Sequence, residues 1–260
     1  MAPRISGVSS DDPRLYEIVH GRPQLQPGVR AKSKGARRVS ELSSVRAVSA
    51  PLGSDRIHYW TFTGVSRDEH DLPADLSYDL TFLTSDAVGW ERPKTHGHAH
   101  VVPELYEVLE GRAAFVVQDL RPGPSATFVG LIEAEAGDCV VIPPAMQHLT
   151  VNRGNSMLVV ADVIATVAQH NYAELDAARG AAYYQRVEGE VTRNPNYLRA
   201  APVTRWSVSG WSDATADGPL YAGLVDRRDD FAWLARADGF AFRFPDLAER
   251  LAGLMAPGGL

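Results

Sequence analysis

Cysteine is almost missing from this chain: Cys139 stands alone among 260 residues. No disulfide within the chain can form, and no cysteine-rich zinc module can be built. A reducing compartment suits such a chain. An excess of positive charge is missing as well. Lys and Arg number 26 against 32 Asp and Glu, for a net charge of −6. That balance excludes a global basic field for gripping nucleic acid or an anionic lipid surface. A long apolar run is also missing. The longest apolar-rich stretch is residues 157–168, 12 residues interrupted by Asp162, too short to span a bilayer. Residues 1–14 carry charged and polar side chains where a signal peptide needs an apolar core. The expectation is a cytoplasmic protein with neither nucleic acid nor membrane as partner.

What is present is an ordinary globule, 45% apolar and 22% charged, sized for one large domain or two small ones. Residues 1–50 are rich in Gly, Pro, Ser and Arg, with a basic run of Arg30, Lys32, Lys34, Arg37 and Arg38. That run reads as a solvated arm, or else as a contact for an anion or a partner. From about 56 to 168, short β-rich runs alternate with turn signals, the pattern of an all-β sandwich or barrel. Strands are expected over 57–65, 77–83, 105–109, 113–118, 126–133, 139–142 and 157–165. Tight turns are expected at Glu110-Gly111 and over 151–155, and a proline-rich loop over 121–124. Beyond 168 the pattern turns helical, with short helices expected over 172–179, 229–237 and 245–255; the last puts Leu247, Leu251, Leu254 and Met255 on one face. The predicted organisation is an N-terminal arm (1–50), an all-β barrel (51–170) and a C-terminal helical extension (171–260) packed on it.

Four of the eight histidines fall at His96, His98, His100 and His148. His98 and His100 are two residues apart, which on a strand points both rings to one face. Glu104 follows, and His148 comes from a distant strand. Any one of these alone is an ordinary polar residue; together they can converge inside a barrel as three neutral nitrogens and one charged oxygen around a divalent cation. Such a set suits Fe, Mn, Ni, Co or Zn and does not choose among them. Of the remaining residues, Thr81 and Thr95 are natural strand formers, and Tyr59 and Tyr106 suit core aromatics with a wet hydroxyl. His170 and Tyr172 suit the mouth of the barrel. Gly97, between polar neighbours, marks a close backbone approach. Cys139 reads as a small core hydrophobe, and His96 as lying behind the ligands or at the surface.

The two histidine blocks resemble the paired motifs of the cupin superfamily, G-x5-H-x-H-x3,4-E-x6-G and G-x5-P-x-G-x2-H-x3-N. Arg92 takes the place of the first glycine, and Ala145 that of the second motif's inner glycine, where a negative φ is therefore expected. Residues 95–100 and 104–111, with Tyr78-Asp79-Leu80-Thr81 upstream and Gln169-His170-Asn171-Tyr172 downstream, resemble the cupin-type glucose-6-phosphate isomerases. The likeness covers roughly residues 30–200. It implies a cupin, jelly-roll-like barrel. It also implies one divalent transition metal per chain, held by His98, His100, Glu104 and His148. By the same resemblance Thr81, Thr95 and Gly97 contact a phosphate, and Tyr59, His170 and Tyr172 contact the sugar phosphate. A further tyrosine of that family falls at Ile164, a departure that points to a changed sugar pocket. A dianionic phosphate usually meets arginine, and Lys94, Arg92 or Arg37 can supply the charge; the sequence does not place them.

The implied activity is metal-dependent interconversion of glucose 6-phosphate and fructose 6-phosphate through an enediolate, a step of glycolysis or gluconeogenesis, with Glu104 as base and Tyr106 as its helper. A hydride shift is the rival path. Two other classes stand beside it: an Fe(II)-dependent cupin dioxygenase, and a specialised relative that acts on another sugar phosphate or small molecule, or binds without turnover. Long strand edges need covering, so a homodimer is expected.

Overall fold

The structure is a computed structural model that describes residues 14–48, 55–119, 121, 123–211 and 218–256. The reading of the first 13 residues, and that of Pro122 in the proline-rich loop, lies outside the described residues.

Two antiparallel-based sheets hold the core. Their strands are β1 (Ser33–Arg38), β2 (Ile57–Thr63), β3 (Leu76–Leu83), β4 (Glu104–Glu110), β5 (Arg112–Asp119), β6 (Val129–Glu135), β7 (Cys139–Ile142), β8 (Met146–Asn152), β9 (Leu158–Ala165) and β10 (Val203–Ser207). The larger sheet runs in the order β7-β4-β9-β3-β2-β1, the smaller β8-β5-β6-β10. All neighbours are antiparallel except β10, which lies parallel to β6. Phe82, Val108, Val140 and Val160 of the larger sheet share one apolar cluster with Phe115, Val117, Leu131 and Ile132 of the smaller. Each such fully buried side chain contributes about 1.5–3 kcal/mol. This is the expected jelly-roll architecture, with one refinement. The sheets are not closed by a continuous ladder; isolated bridges Lys94–Val151 and His98–His148 lay the stretch that precedes β4 along β8.

The glycine expected to turn at 111 does so with φ +93°. It joins β4 and β5, which belong to opposite sheets, so the chain changes sheets there rather than forming a hairpin. The turn expected over 151–155 begins later, because β8 continues through Asn152. The buried Asn152 amide donates to the carbonyls of Leu83, Thr84 and Ser156, and its Oδ1 accepts the Gly154 amide at 2.8 Å, so one side chain both anchors the strand and makes the turn that ends it. The strand expected over 126–133 is broken after Ala126, where the Asp119 carboxylate accepts the Thr127 and Phe128 amides.

The basic run is structured. Residues 33–38 form the edge strand β1, paired with β2 from Ser33–Thr63 to Arg38–Ile57. All six side chains are exposed, which is why no alternation marked it in the sequence. Next comes a 3-10 turn, Ser40–Val45, that buries Leu42 and Val45.

β9 is buried along its whole length. On its outer side lies the segment after 200: helix Leu220–Asp226 donates the Leu220 amide to Glu107, Tyr221 sets its ring edge on Tyr78, and buried Trp211 donates to the Val141 carbonyl at 2.8 Å. The helix expected over 229–237 is a 3-10 segment, Arg228–Ala235. Helix Pro245–Leu254 buries Leu247 and Leu251, while Leu254 is exposed. Among the described residues no helix is long and apolar enough to cross a membrane.

Ala145 corrects the expectation of a negative φ: its φ is +60°. The turn between Pro143-Pro144 and β8 demands the left-handed region, whichever residue fills it, so that the Ala145 amide reaches the His100 carbonyl at 2.7 Å. An L-residue there costs about 1–2 kcal/mol. The side chain is exposed, so no packing depends on it. Ala145→Gly is expected to stabilise the fold by about 0.5–1 kcal/mol once the added freedom of the unfolded chain is subtracted. Thermal or urea unfolding measures it, and a destabilised variant contradicts the strain.

Candidate active site

The stretch 93–100 is extended but belongs to neither sheet. It is zipped to β8 by backbone bonds: Asn152 N to Pro93 O, Thr95 N to Thr150 O, and reciprocal His98–His148 bonds at 3.0 and 2.9 Å. This pairing sets His98 opposite His148, and two-residue alternation carries His100 to the same side. Gly97 is required by the zipper. Its φ is +84°, and a Cβ there would lie 2.9 Å from the His148 carbonyl oxygen and 2.9 Å from a Leu175 methyl. The close approach expected at this glycine is thus to the β8 backbone.

Glu104 opens β4 at the centre of the group. Its Oε2 lies 2.7 Å from His100 Nε2, 2.9 Å from His148 Nε2 and 3.8 Å from His98 Nε2. One ligand atom from each of the four residues lies within 4.8 Å of the others. His100 and His148 present Nδ1 to the carbonyls of Val102 and Met146. A carbonyl only accepts, so each Nδ1 carries the proton and each Nε2 offers a lone pair. Those lone pairs face a carboxylate oxygen that also only accepts. His98 Nε2 is buried with no hydrogen-bond partner among the described residues. A single proton satisfies one of these contacts and leaves the others repulsive; a divalent cation satisfies all four. The donor set therefore fits a metal ion.

The electrostatics follow from this crowding. Burial, then the charge of His148, drives the His98 pKa down to about 3. For Glu104, burial works against ionisation, but the hydrogen bond and charge of His100, with His148 behind them, hold it well below the usual carboxylate range. Burial also lowers His100, and the Glu104 carboxylate outweighs it and raises the ring's pKa.

His98 and Glu104 of the cluster border a cavity of about 300 Å³. Tyr59, Thr81, Thr95, Gly97, His98, Glu104, Tyr106, His170 and Tyr172 all line it, while His100 and His148 stand behind. The His170 ring lies 4.3 Å from that of His98, and the Tyr106 hydroxyl 3.4 Å from His148 Nε2. His96 is at the wall, with Nε2 3.1 Å from Asp176 and its ring edge on Tyr172.

Of the three cations weighed from sequence, only Arg37 lines the cavity. Lys94 is buried in an ion pair with Glu91 at 2.7 Å, over the Tyr184 ring. Arg92 donates to the carbonyls of Arg186, Asn152 and Val187. Ile164 is absent from the wall and packs with Val102 and Ala165. Sequence reasoning missed Asp79 and Asp162, paired across β3 and β9 and both on the wall. The available signal was an acidic residue in the middle of a strand otherwise buried and apolar.

A family model described as Glucose-6-phosphate isomerase (GPI) matches residues 37–201. A protein of Thermococcus onnurineus (strain NA1) named Glucose-6-phosphate isomerase is 28% identical over 159 residues, 58% of this chain and 80% of its own. A protein of the same name from Thermococcus kodakarensis (strain ATCC BAA-918 / JCM 12380 / KOD1) is 27% identical over 175 residues, 64% of this chain and 88% of its own. Another, from Thermococcus litoralis, is 31% identical over 108 residues, 40% of this chain and 54% of its own.

Because the cluster repels itself without a cation, metal should stabilise the fold. At a free concentration 100 times Kd the gain is about 2.7 kcal/mol. Titrating stripped protein with Mn(II), Fe(II), Co(II), Ni(II) or Zn(II) should raise the unfolding temperature. In His148→Ala and His98→Ala that rise, together with metal content measured by mass spectrometry, should fall away. Full metal occupancy in either variant contradicts the site.

Proposed function

We propose that this chain, which belongs to the glucose-6-phosphate isomerase family, interconverts glucose 6-phosphate and fructose 6-phosphate. The observation that carries the reading is a single cavity lined both by His98 and Glu104 of the cluster and by Arg37, Thr81, Thr95 and Gly97. A linear sugar phosphate needs both kinds of wall, one for an anion and one for a carbonyl.

His98, His100, Glu104 and His148 would hold one divalent transition metal, Fe, Mn, Ni, Co or Zn. When bound, it would supply Lewis-acid polarisation of the substrate carbonyl. The rest falls to the protein. The Thr95 Oγ1 accepts the Thr150 amide at 3.0 Å, which leaves its own O–H free to donate to a phosphate oxygen. Thr81 and the Gly97 backbone stand on the same cavity wall. Arg37 brings the full positive charge that hydroxyls lack; its exposed Glu41 pair at 3.5 Å is worth little against a phosphate. The Tyr59 hydroxyl lies against Arg37 and the His96 amide, and burial leads in pushing its pKa up to about 12, so it stays protonated as a donor. At the cluster, Glu104 is the proposed base, moving a proton between C2 and C1 through an enediolate. Tyr106, hydrogen-bonded to Glu104, orients it and donates to oxygen as charge develops. His170 and Tyr172 close the mouth over the sugar. A relative specialised for a different sugar phosphate is the second reading, favoured by Ile164 in the place of a family tyrosine and by Asp162 on the wall. A homodimer and a cytoplasmic setting complete the proposal.

A coupled assay for fructose 6-phosphate isomerisation, run on metal-stripped and reloaded protein, tests the reading; no turnover with any of the five metals would sink it. Thr95→Val should raise KM about tenfold with kcat little changed, and Arg37→Ala should raise it further, as loss of hydrogen bonds to a charged group costs about 1.5–3 kcal/mol. Unchanged KM values remove the phosphate seat. Glu104→Gln should depress kcat far more than KM. Solvent deuterium appearing at C2 supports proton transfer, and its absence over many turnovers supports the hydride shift instead.

A further inference from the structure

The stretch 93–98 has a β-strand on one edge only. Its Thr95 and His98 amides serve that edge, donating to the β8 carbonyls of Thr150 and His148. No backbone carbonyl of the described residues takes the amides of Lys94 and His96. Two consecutive β2 side chains take them instead. The Lys94 amide donates to His58 Nε2 at 3.2 Å, and the His96 amide to the Tyr59 hydroxyl oxygen. Thr95, which lines the cavity, sits between these two anchors.

A histidine nitrogen holds an amide only as an acceptor, and Arg46 keeps His58 in that form. The Arg46 Nη2 donates to the same His58 Nε2 that takes the Lys94 amide. Neither donor can accept, so Nε2 keeps its lone pair and the ring proton lies on Nδ1. Burial, then the charge of Arg46, drives the His58 pKa down to about 3, so the ring stays neutral. Stability does not account for this arginine. It is 1% exposed, yet its Nε and Nη1 have no hydrogen-bond partner among the described residues. The nearby carboxylate of Glu91 is already engaged by Lys94 Nζ at 2.7 Å and by the Ala47 amide at 3.0 Å. A buried guanidinium short of acceptors, beside a second buried cation, costs the fold free energy. None of Arg46, His58, Glu91 and Lys94 lines the cavity, so a part for them in binding has to run through the stretch they hold.

We infer that His58, kept in its accepting form by Arg46, is a positioning residue for the anion wall of the cavity: it fixes the Lys94 amide and thereby the placement of Thr95. The inference rests on the sugar-phosphate reading of the same site and adds to it what aims the phosphate seat. The metal ligands farther along the stretch are set separately, by the reciprocal His98–His148 backbone bonds. Loosening His58 therefore weakens the hold on the anion and leaves the metal in place.

The test titrates glucitol 6-phosphate, which has no carbonyl to isomerise, calorimetrically into metal-loaded protein. Metal content and unfolding temperature are measured on each variant. His58→Leu should weaken the probe about tenfold, the cost of one lost orienting hydrogen bond, with metal content unchanged. His58→Gln, whose side-chain carbonyl also accepts, should recover most of that affinity. Arg46→Met should weaken the probe about threefold while its unfolding temperature holds or rises, since a surplus buried cation is removed. In turnover the losses should fall on KM, with kcat little changed. If His58→Leu fails to fold, Arg46→Met decides. Wild-type affinity for the probe in either His58→Leu or Arg46→Met overturns the inference. So does an equal loss in His58→Leu and His58→Gln, or a loss of metal in step with the loss of affinity, since either makes the group a general support of the fold. Failure of the isomerase reading looks different: no turnover of glucose 6-phosphate, with the contrast among the variants intact.

Discussion

Three imidazole nitrogens and one carboxylate oxygen converge within 4.8 Å of one another, with more acceptors there than protons to join them. That shortage is the constraint around which the molecule is arranged. Fixed Nδ1 partners for His100 and His148 deny those rings the option of turning away. The zipper of residues 93–100 on β8 denies His98 the option of swinging out. Even the left-handed turn at Ala145 serves this end, because its amide pins the carbonyl of His100 itself. A cation held there would answer the acceptors that lack a proton, and its binding would add to the stability of the fold.

The layers around the site divide the work. The larger sheet supplies Glu104, Tyr106, Thr81 and Asp162, the smaller supplies His148, and the extended stretch beside β8 supplies Thr95, Gly97, His98 and His100. Among the described residues, the segment after 200 makes no hydrogen bond or ring contact with any of these. By lying on the outside of β9 and β4 and by hooking Trp211 onto β7, it turns a one-faced sheet into one buried on both sides.

Much of this was legible in sequence because it depends on spacing. His98 and His100 two apart, Glu104 beyond a turn and His148 before an asparagine gave a cluster that the chain does assemble. The strands were legible wherever one face alternates or both are apolar. Edge strand β1 was not: with six exposed side chains it has no hydrophobic face to alternate, so Arg37 could not be placed in the cavity from composition. Ala145 misled because residue identity argues for negative φ while the turn's hydrogen bond decides otherwise. Asn152 does turn the chain through its Oδ1, but its second task, holding three carbonyls with its amide, depends on partners distant in sequence. Asp162 was visible as an oddity in an apolar run, but its place on the cavity wall depended on the sheet register that sets it beside Asp79 and Tyr106.

One consequence follows from where Arg37, the one arginine or lysine among the described residues that line the cavity, is mounted. Arg37 rides on the outermost strand, gripped by a single neighbour, and such margins fray more readily than central strands. A ligand that clasps Arg37 to the interior threonines therefore acts as a stitch along the selvedge of the sheet. Amide exchange along residues 33–38 becomes a gauge of whether the site is filled, read at the rim of the molecule rather than at its centre.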